Sequence, residues 1–153
     1  VFASRRLTHR TPGTSLTAPA TAPGVLTVGA TDGNDTVAAF SSRGPVAGTD
    51  RRGMDLVAPD DVALPGVSTG AGSSYAAPYV AGTAALLLEA SPSFAPRDVR
   101  TVLRASATDV GPPGPDTRSG YGRLDAVAAA ELAGEYERYA GLNASGTVRD
   151  ELP

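Results

Sequence analysis

The feature that most constrains the fold is a segment with helical composition that is apolar on almost every side. It begins at Ser74, just after a glycine-rich turn at residues 70–73, and continues through Ala, Val and Leu residues to Leu88. Helices that are hydrophobic all round are normally buried at the centre of a protein. Pro78 is expected in the first turn, where a missing N–H costs little. Such a helix requires other elements packed around it.

Three short apolar segments upstream of this helix predict strands. Residues 25–30 are rich in β-branched side chains and lie between Pro-Gly and Asp-Gly turns. Residues 36–41 alternate in polarity towards Phe40, and residues 54–58 form an apolar run that Pro59 closes. All three segments are predicted to be strands of one sheet.

Two further helices are predicted downstream. The first follows Ser93, with Pro96 near its start and an apolar face made of Val99, Val102 and Leu103. The second runs from residue 122 or 123 to about residue 133, and residues 134–153 have the composition of a polar tail. Strands that alternate with helices predict an α/β fold, here part of a doubly wound, mostly parallel sheet. In such sheets, active groups lie at the carboxyl ends of strands and at helix N-termini.

Composition and charge exclude several classes of function. The 153 residues are 41% hydrophobic and 19% charged, which fits one globular domain. The absence of Cys excludes disulfides and thiolate metal sites, and no apolar run approaches the roughly 20 residues of a membrane span. The net charge of −3 gives no reason to expect nucleic acid or an anionic membrane as partner. All 13 basic residues are Arg, and their scatter along the chain indicates compositional bias more than a binding surface.

Ser74 is the candidate nucleophile because of its place between a glycine turn and a helix N-terminus. Unpaired backbone N–H groups there would stabilise an oxyanion that forms beside its hydroxyl. The local pattern fits an N-cap serine equally well. An esterase signature, Gly-x-Ser-x-Gly, is disfavoured because Ala76 stands where the second Gly would be.

A wider match separates these alternatives. Residues 70–82 resemble the serine motif of the subtilisin family, Gly-Thr-Ser-Met-Ala-x-Pro-His-Val-Ala-Gly, in the Gly, second Ser, Ala, Pro and Val-Ala-Gly positions. Four more segments are similar to family segments in the family's order, namely residues 18–30, 40–45, 55–59 and 120–126. Residues 1–133 therefore resemble the C-terminal portion of a subtilisin-like serine protease domain (subtilase, peptidase S8), with residues 1–17 divergent. A shorter segment at residues 13–19 is similar to the same motif, but its Ser15 is expected to lie in a loop.

The resemblance implies a function and a set of site residues. It implies a serine endopeptidase that acts on protein or peptide substrates through an acyl-enzyme on Ser74, with Gly72 and Ser73 in the motif. The Ser73 hydroxyl would stand in for the family's Thr, and Arg6 would occupy the position of the oxyanion Asn if the alignment has no gap. No organic cofactor is implied, structural calcium is common in the family, and family members are mostly exported.

Departures from the family pattern leave an alternative open. The catalytic Asp and His would lie upstream of Ser74, yet His9 is the only His and its Thr-His-Arg setting differs from the family's His-Gly-Thr-His. Asp60, Tyr75 and Tyr79 replace the family's Gly, Met and His, and the two tyrosines are expected to be packing residues. The chain is therefore either part of a working protease or an inactive pseudoprotease remnant.

The partner expected from the resemblance is the missing N-terminal half of the domain. Half a doubly wound sheet would leave a strand edge and the apolar helix uncovered, so the isolated chain is expected to aggregate unless it is complemented. The basic cluster of Arg5, Arg6, His9 and Arg10 is set aside as a nucleic-acid site because the chain is net acidic.

Overall fold

A computed structural model describes residues 2–3, 14–61 and 70–143 of the chain. Three strands form one parallel sheet in the order β1-β2-β3. The strands are β1 (Phe2–Ala3), β2 (Thr27–Thr31) and β3 (Leu56–Pro59). The predicted α/β class with a parallel sheet is confirmed, as are the strands near residues 25–30 and 54–58.

Three helices complete this part of the chain. They are α1 (Ser73–Ala90), α2 (Pro96–Ala105) and α3 (Ala126–Asn143). Helix α1 packs against all three strands, while α2 and α3 pack against α1 and against each other. No helix in the described ranges combines the length and apolarity needed to cross a bilayer.

The core lies between the sheet and α1 and continues under α2. Every residue of β2 is buried, which explains why its sequence shows no alternation. Val99, Val102 and Leu103 form the buried face of α2, as the sequence predicted. Side chains from all these elements join one cluster, whose fully buried members include Val28, Leu56, Ala58, Ala76, Val80 and Val102.

The prediction of a strand at residues 36–41 is wrong. Only Val37 forms a bridge, to Thr31, and the chain then turns so that the Ser41 amide donates to the Ala38 carbonyl over 2.9 Å. The Ser41 hydroxyl accepts a 3.1 Å hydrogen bond from the Ala30 amide. A side chain at Gly29 would place its Cβ 2.6 Å from that hydroxyl oxygen, so this approach requires glycine. The alternating pattern therefore marks a segment that lies over β2 without continuing the sheet.

Helix α1 differs from its prediction in two respects. Pro78 lies in the second turn because the helix begins at Ser73, so the proline nitrogen cannot donate to the Ser74 carbonyl four residues earlier. The helix is also not buried all round: Leu86 is 63% exposed, Leu88 44% and Tyr79 42%. The described strands cover only one side of α1, and the other described elements leave Tyr79 partly exposed, so its predicted packing role stays a prediction.

Helix α3 begins and ends later than predicted. It starts at Ala126, where the Asp125 carboxylate accepts a 2.9 Å hydrogen bond from the Ala128 amide, and it continues past residue 133 to Asn143. The Tyr136 ring meets Phe94 edge-on with a centroid distance of 5.4 Å, and its hydroxyl donates to Asp98 over 3.1 Å. These contacts hold a segment whose composition alone suggested a polar tail.

Candidate active site

Ser74 is the second residue of α1 and its side chain is exposed. The preceding Ser73 is 6% exposed, so adjacent serines have opposite environments. Gly72 precedes the helix with an extended backbone (φ 165°, ψ 149°), and its carbonyl accepts the Tyr75 amide over 2.8 Å. The turn therefore directs the hydroxyl of Ser74 to the surface and that of Ser73 into the protein.

The N-cap interpretation of Ser74 is wrong. The N-cap position belongs to Gly72, and no side chain of the described residues makes a capping hydrogen bond at this terminus. A capping serine would have non-helical backbone angles and would hold its oxygen against an amide two or three residues later. Ser74 is already helical, so its hydroxyl has no capping role.

The first turn of α1 offers the electrostatics that a developing oxyanion needs. The first amides of any α-helix lack intrahelical acceptors, and the helix dipole adds partial positive charge there. The first turn contains no acidic residue that would oppose this field. Gly70 lies against the Tyr75 ring, since a Cβ at Gly70 would come within 2.5 Å of the Tyr75 hydroxyl oxygen. The half-buried Tyr75 thus packs against the glycine turn, in line with the packing role predicted for it.

The carboxyl ends of the strands carry an acidic group beside α1. The hydroxyl of Tyr79 lies 3.5 Å from the carbonyl oxygen of Asp61, which connects the second turn of α1 to the segment after β3. Asp60 is buried, and its amide donates to the Thr31 carbonyl over 3.0 Å. Burial, followed by repulsion from Asp61 and Asp32, raises the pKa of the Asp60 carboxyl. This carboxyl therefore keeps its proton to a higher pH than an ordinary aspartate.

Two candidate residues from the sequence analysis lie outside the described ranges. These are Arg6, at the predicted oxyanion position, and His9, the only His of the chain. Residues 14–61 and 70–143 thus contain no imidazole that could act as general base. In the same ranges, no group of three or more His, Asp or Glu side chains could hold a metal ion. The roles of Gly72, Ser73, Ser74 and Arg6 stay predictions.

Sequence reasoning missed an ion pair that joins the sheet to α2. Asp55, immediately before β3, accepts hydrogen bonds from Nε of Arg104 at 3.0 Å and from its Nη2. The other carboxylate oxygen accepts the Thr27 amide over 2.7 Å. An acidic residue at the edge of an apolar run was the only signal, and it does not reveal a partner 49 positions away.

The sequence profile of the subtilase family (peptidase S8) matches residues 7–122. The chain belongs to the subtilase family. Among curated subtilases, it is 36% identical over 116 residues to alkaline elastase YaB of Bacillus sp. strain YaB, which covers 72% of this chain and 28% of the elastase. It is 36% identical over 102 residues to subtilisin Savinase of Lederbergia lenta, covering 63% of the chain and 35% of the subtilisin.

Solved subtilase structures share the fold. MycP1 from Mycobacterium smegmatis superposes with a TM-score of 0.62 at 28% identity, over 76% of this chain and 33% of MycP1. Fervidolysin from Fervidobacterium pennivorans, a keratinolytic enzyme related to subtilisin, gives 0.61 at 29% identity, over 74% of this chain and 20% of fervidolysin. The chain therefore spans about a third or less of the length of each of these four proteins.

Proposed function

We propose that the chain is the nucleophile-bearing portion of a serine endopeptidase that cleaves peptide bonds through an acyl-enzyme on Ser74. The observation that carries the proposal is the exposed Ser74 hydroxyl in the first turn of a long helix packed against a parallel sheet. Family membership supports the same reaction, since the curated relatives include an elastase and subtilisins.

In the proposed acyl-enzyme reaction, each group at the start of α1 has a role. The Ser74 oxygen attacks the carbonyl carbon of the scissile bond while a general base takes its proton, and the backbone N–H of Ser74 at the start of α1 stabilises the oxyanion. The leaving amine receives the proton as the carbon–nitrogen bond breaks, and water then hydrolyses the ester on Ser74. Gly72 leaves room for the substrate backbone, and the Ser73 hydroxyl replaces the Thr of the family motif.

The second candidate is an inactive pseudoprotease remnant, which we favour for the chain by itself. The described residues contain no His, and His9 is the only one in the whole sequence. A serine without a base is a weak nucleophile. The coding region upstream of Val1 separates the two candidates, because a working protease requires an in-frame Asp-x-Gly strand and a His-Gly-Thr-His helix.

The exposed face of α1 is evidence that another part of a subtilase domain packs against this chain. Leu86 and Leu88 expose large apolar side chains on a helix whose opposite side is buried against the sheet. We infer that the N-terminal half of a subtilase domain covers this face. Export of the intact protein is part of the proposal, supported by similarity to an extracellular serine protease of Natrialba magadii, 34% identical over 122 residues (76% of this chain and 21% of that protease).

Fluorophosphonate labelling of the purified chain tests the activity, with Ser74→Ala as control. Because the probe reacts only with an activated serine, we expect no labelling of the chain alone. We expect labelling confined to Ser74 once the product of the longer reading frame is used. Labelling that persists in Ser74→Ala, or a longer product that contains the Asp and His segments but stays unlabelled, would contradict the proposed role of Ser74.

A further inference from the structure

A cavity of about 590 Å³, which no residue of α1 lines, lies between the segments that precede β2 and β3 and one side of α2. We call it the arginine pocket, defined by Arg51, Arg52, Arg100, Arg104 and Tyr121, all of which line it. The scatter of arginines along the sequence suggested compositional bias, but the fold brings these four to one place. A volume of this size is in the range of small-molecule sites.

Tyr121 organises two of the guanidinium groups. The Cζ atom of Arg52 lies 5.1 Å from the centroid of the Tyr121 ring, and that of Arg104 lies 5.0 Å from it. Arg104 is neutralised by its ion pair with Asp55. Arg52 has no carboxylate partner among the described residues, since the ring is its only charge-stabilising contact there.

The remaining two arginines are anchored by carbonyl groups, which leave their charge uncompensated. Arg51 donates to the Thr21 carbonyl over 2.8 Å, and the Nη2 group of Arg100 donates to the Gly24 carbonyl. The Nε–H of Arg100 is buried and has no hydrogen-bond partner in the described part of the chain. Buried donors of this kind are nearly always satisfied in folded proteins.

Three aspartates also line the pocket, one fewer than the arginines, and none of them forms an ion pair with Arg51, Arg52 or Arg100 in the described part of the chain. Asp55 is already paired with Arg104, and Asp50 is exposed. One oxygen of Asp116 accepts three hydrogen bonds from its own turn, from the Arg118 amide and from the amide and hydroxyl of Ser119. Burial favours the protonated carboxyl, but these hydrogen bonds and the charge of Arg118 outweigh it and lower the pKa of Asp116. Asp116 therefore stays ionised, and the four arginines and three aspartates of the lining leave the pocket with a small excess of positive charge.

We propose that the arginine pocket binds a phosphate-class oxyanion, free or carried as a phosphate monoester. Guanidinium groups match phosphate oxygens with paired N–H donors, and the arginines of the lining outnumber its aspartates. The volume exceeds what inorganic phosphate fills, which favours an ester. The site is independent of Ser74 and therefore goes beyond the proposed proteolytic function.

Titration of the ¹⁵N-arginine-labelled chain at pH 7.5 tests the proposal through the Arg Nε–H resonances. Inorganic phosphate and O-phosphoserine are the two probes. We expect saturable shifts of the Arg52 and Arg100 resonances with either probe, while Arg97 and Arg118 stay unchanged. Tighter binding of O-phosphoserine assigns the site to phosphate esters, and equal or weaker binding assigns it to free phosphate.

Matched variants give the test its controls. Arg100→Gln is expected to weaken binding at least about tenfold, while Arg97→Gln, one turn earlier on α2 and facing solvent, changes it less than about twofold. Arg52→Gln serves as a second variant, because the substitution removes the contact with the Tyr121 ring but no side-chain hydrogen bond or ion pair with another described residue. Absence of saturable shifts, or equal weakening by Arg97→Gln and Arg100→Gln, would overturn the proposal whether or not Ser74 reacts with fluorophosphonate.

Discussion

The carboxylate of Asp55 joins the sheet to α2 through the guanidinium of Arg104. The Nε–H of Arg104 donates over 3.0 Å, and the Asp55 side chain is only 7% exposed. The same carboxylate accepts the Thr27 amide at the start of β2. One side chain thus links two strands and a helix, and removal of this carboxylate would leave the Arg104 charge without its partner.

Asp55→Asn is expected to lower the free energy of unfolding by about 3 kcal/mol, since it leaves Arg104 without its counter-charge in a largely buried position. Urea unfolding followed by far-UV circular dichroism, in dilute solution to limit aggregation, measures the loss. Asp50→Asn is the matched control, because Asp50 is exposed, and it should change stability by less than about 0.5 kcal/mol. Equal effects of the two substitutions would contradict the structural role of the pair.

Asp60 makes stability depend on pH in the direction opposite to that of a salt-bridged aspartate. Its pKa is raised in the folded protein, so between the ordinary value of 3.8 and the raised value the folded state binds more protons than the unfolded state. Its contribution to stability therefore falls as pH rises through this window. Asp60→Asn should stabilise the chain at pH 7, and the gain should shrink as the pH approaches 3.8.

Parallel urea titrations at pH 7 and pH 4.5 measure this difference for the wild type and Asp60→Asn. Asp35→Asn is a control of equal charge change, since Asp35 is exposed and pairs with Arg123 over 3.0 Å. A gain for Asp60→Asn that is the same at both pH values would show that burial of the charge is not the cause.

Ser74→Ala separates a catalytic serine from a structural one. Because the Ser74 side chain is exposed and makes no capping hydrogen bond, its removal should change the free energy of unfolding by less than about 0.5 kcal/mol. A capping serine would cost about 1 kcal/mol. The comparison is Asp98→Ala, which removes the carboxylate that accepts the Ala95 amide over 2.8 Å at the start of α2. A loss for Ser74→Ala as large as that for Asp98→Ala would contradict the geometry of this terminus.

Two glycines with left-handed backbones test close packing beside β3. Gly120 has φ +69°, and a Cβ there would lie 2.2 Å from the Asp55 carbonyl oxygen; Gly48 has φ +73° and open space around it. Gly48→Ala should cost about 1 kcal/mol for the backbone conformation alone. Gly120→Ala should cost at least about 2 kcal/mol more, because the backbone at Asp55 must also move. Similar unfolding midpoints for the two variants would contradict the packing.

The extension of α3 gives a prediction about Tyr136. Tyr136→Phe should cost about 1 kcal/mol through loss of the hydrogen bond to Asp98, and Tyr136→Ala at least about 2 kcal/mol because the contact with Phe94 is lost as well. The difference in urea midpoint between the two variants isolates the ring contact. A neutral Tyr136→Ala would mean that residues after 133 behave as the polar tail that their composition suggested.

The sequence by itself determined the class of fold and the position of Ser74. Buried strands and helices can be predicted from local runs of apolar residues. The turn-to-helix motif that locates Ser74 is also a local pattern, at residues 70–82. The same reasoning failed at residues 36–41 and at the end of α3. At residues 36–41, alternation of polar and apolar residues could not show whether a neighbouring strand has free hydrogen-bonding groups. At the end of α3, composition could not show that Tyr136 packs against Phe94.

Only the tertiary structure decided which distant residues meet. It paired Asp55 with Arg104, buried Asp60 near two other carboxylates and placed four arginines that are scattered in the sequence around one pocket. It also showed that Gly72, and not Ser74, caps α1. These outcomes depend on long-range packing. The cost of burying a charged group is set by neighbours that lie tens of residues away along the chain. Local sequence patterns carry no record of those neighbours.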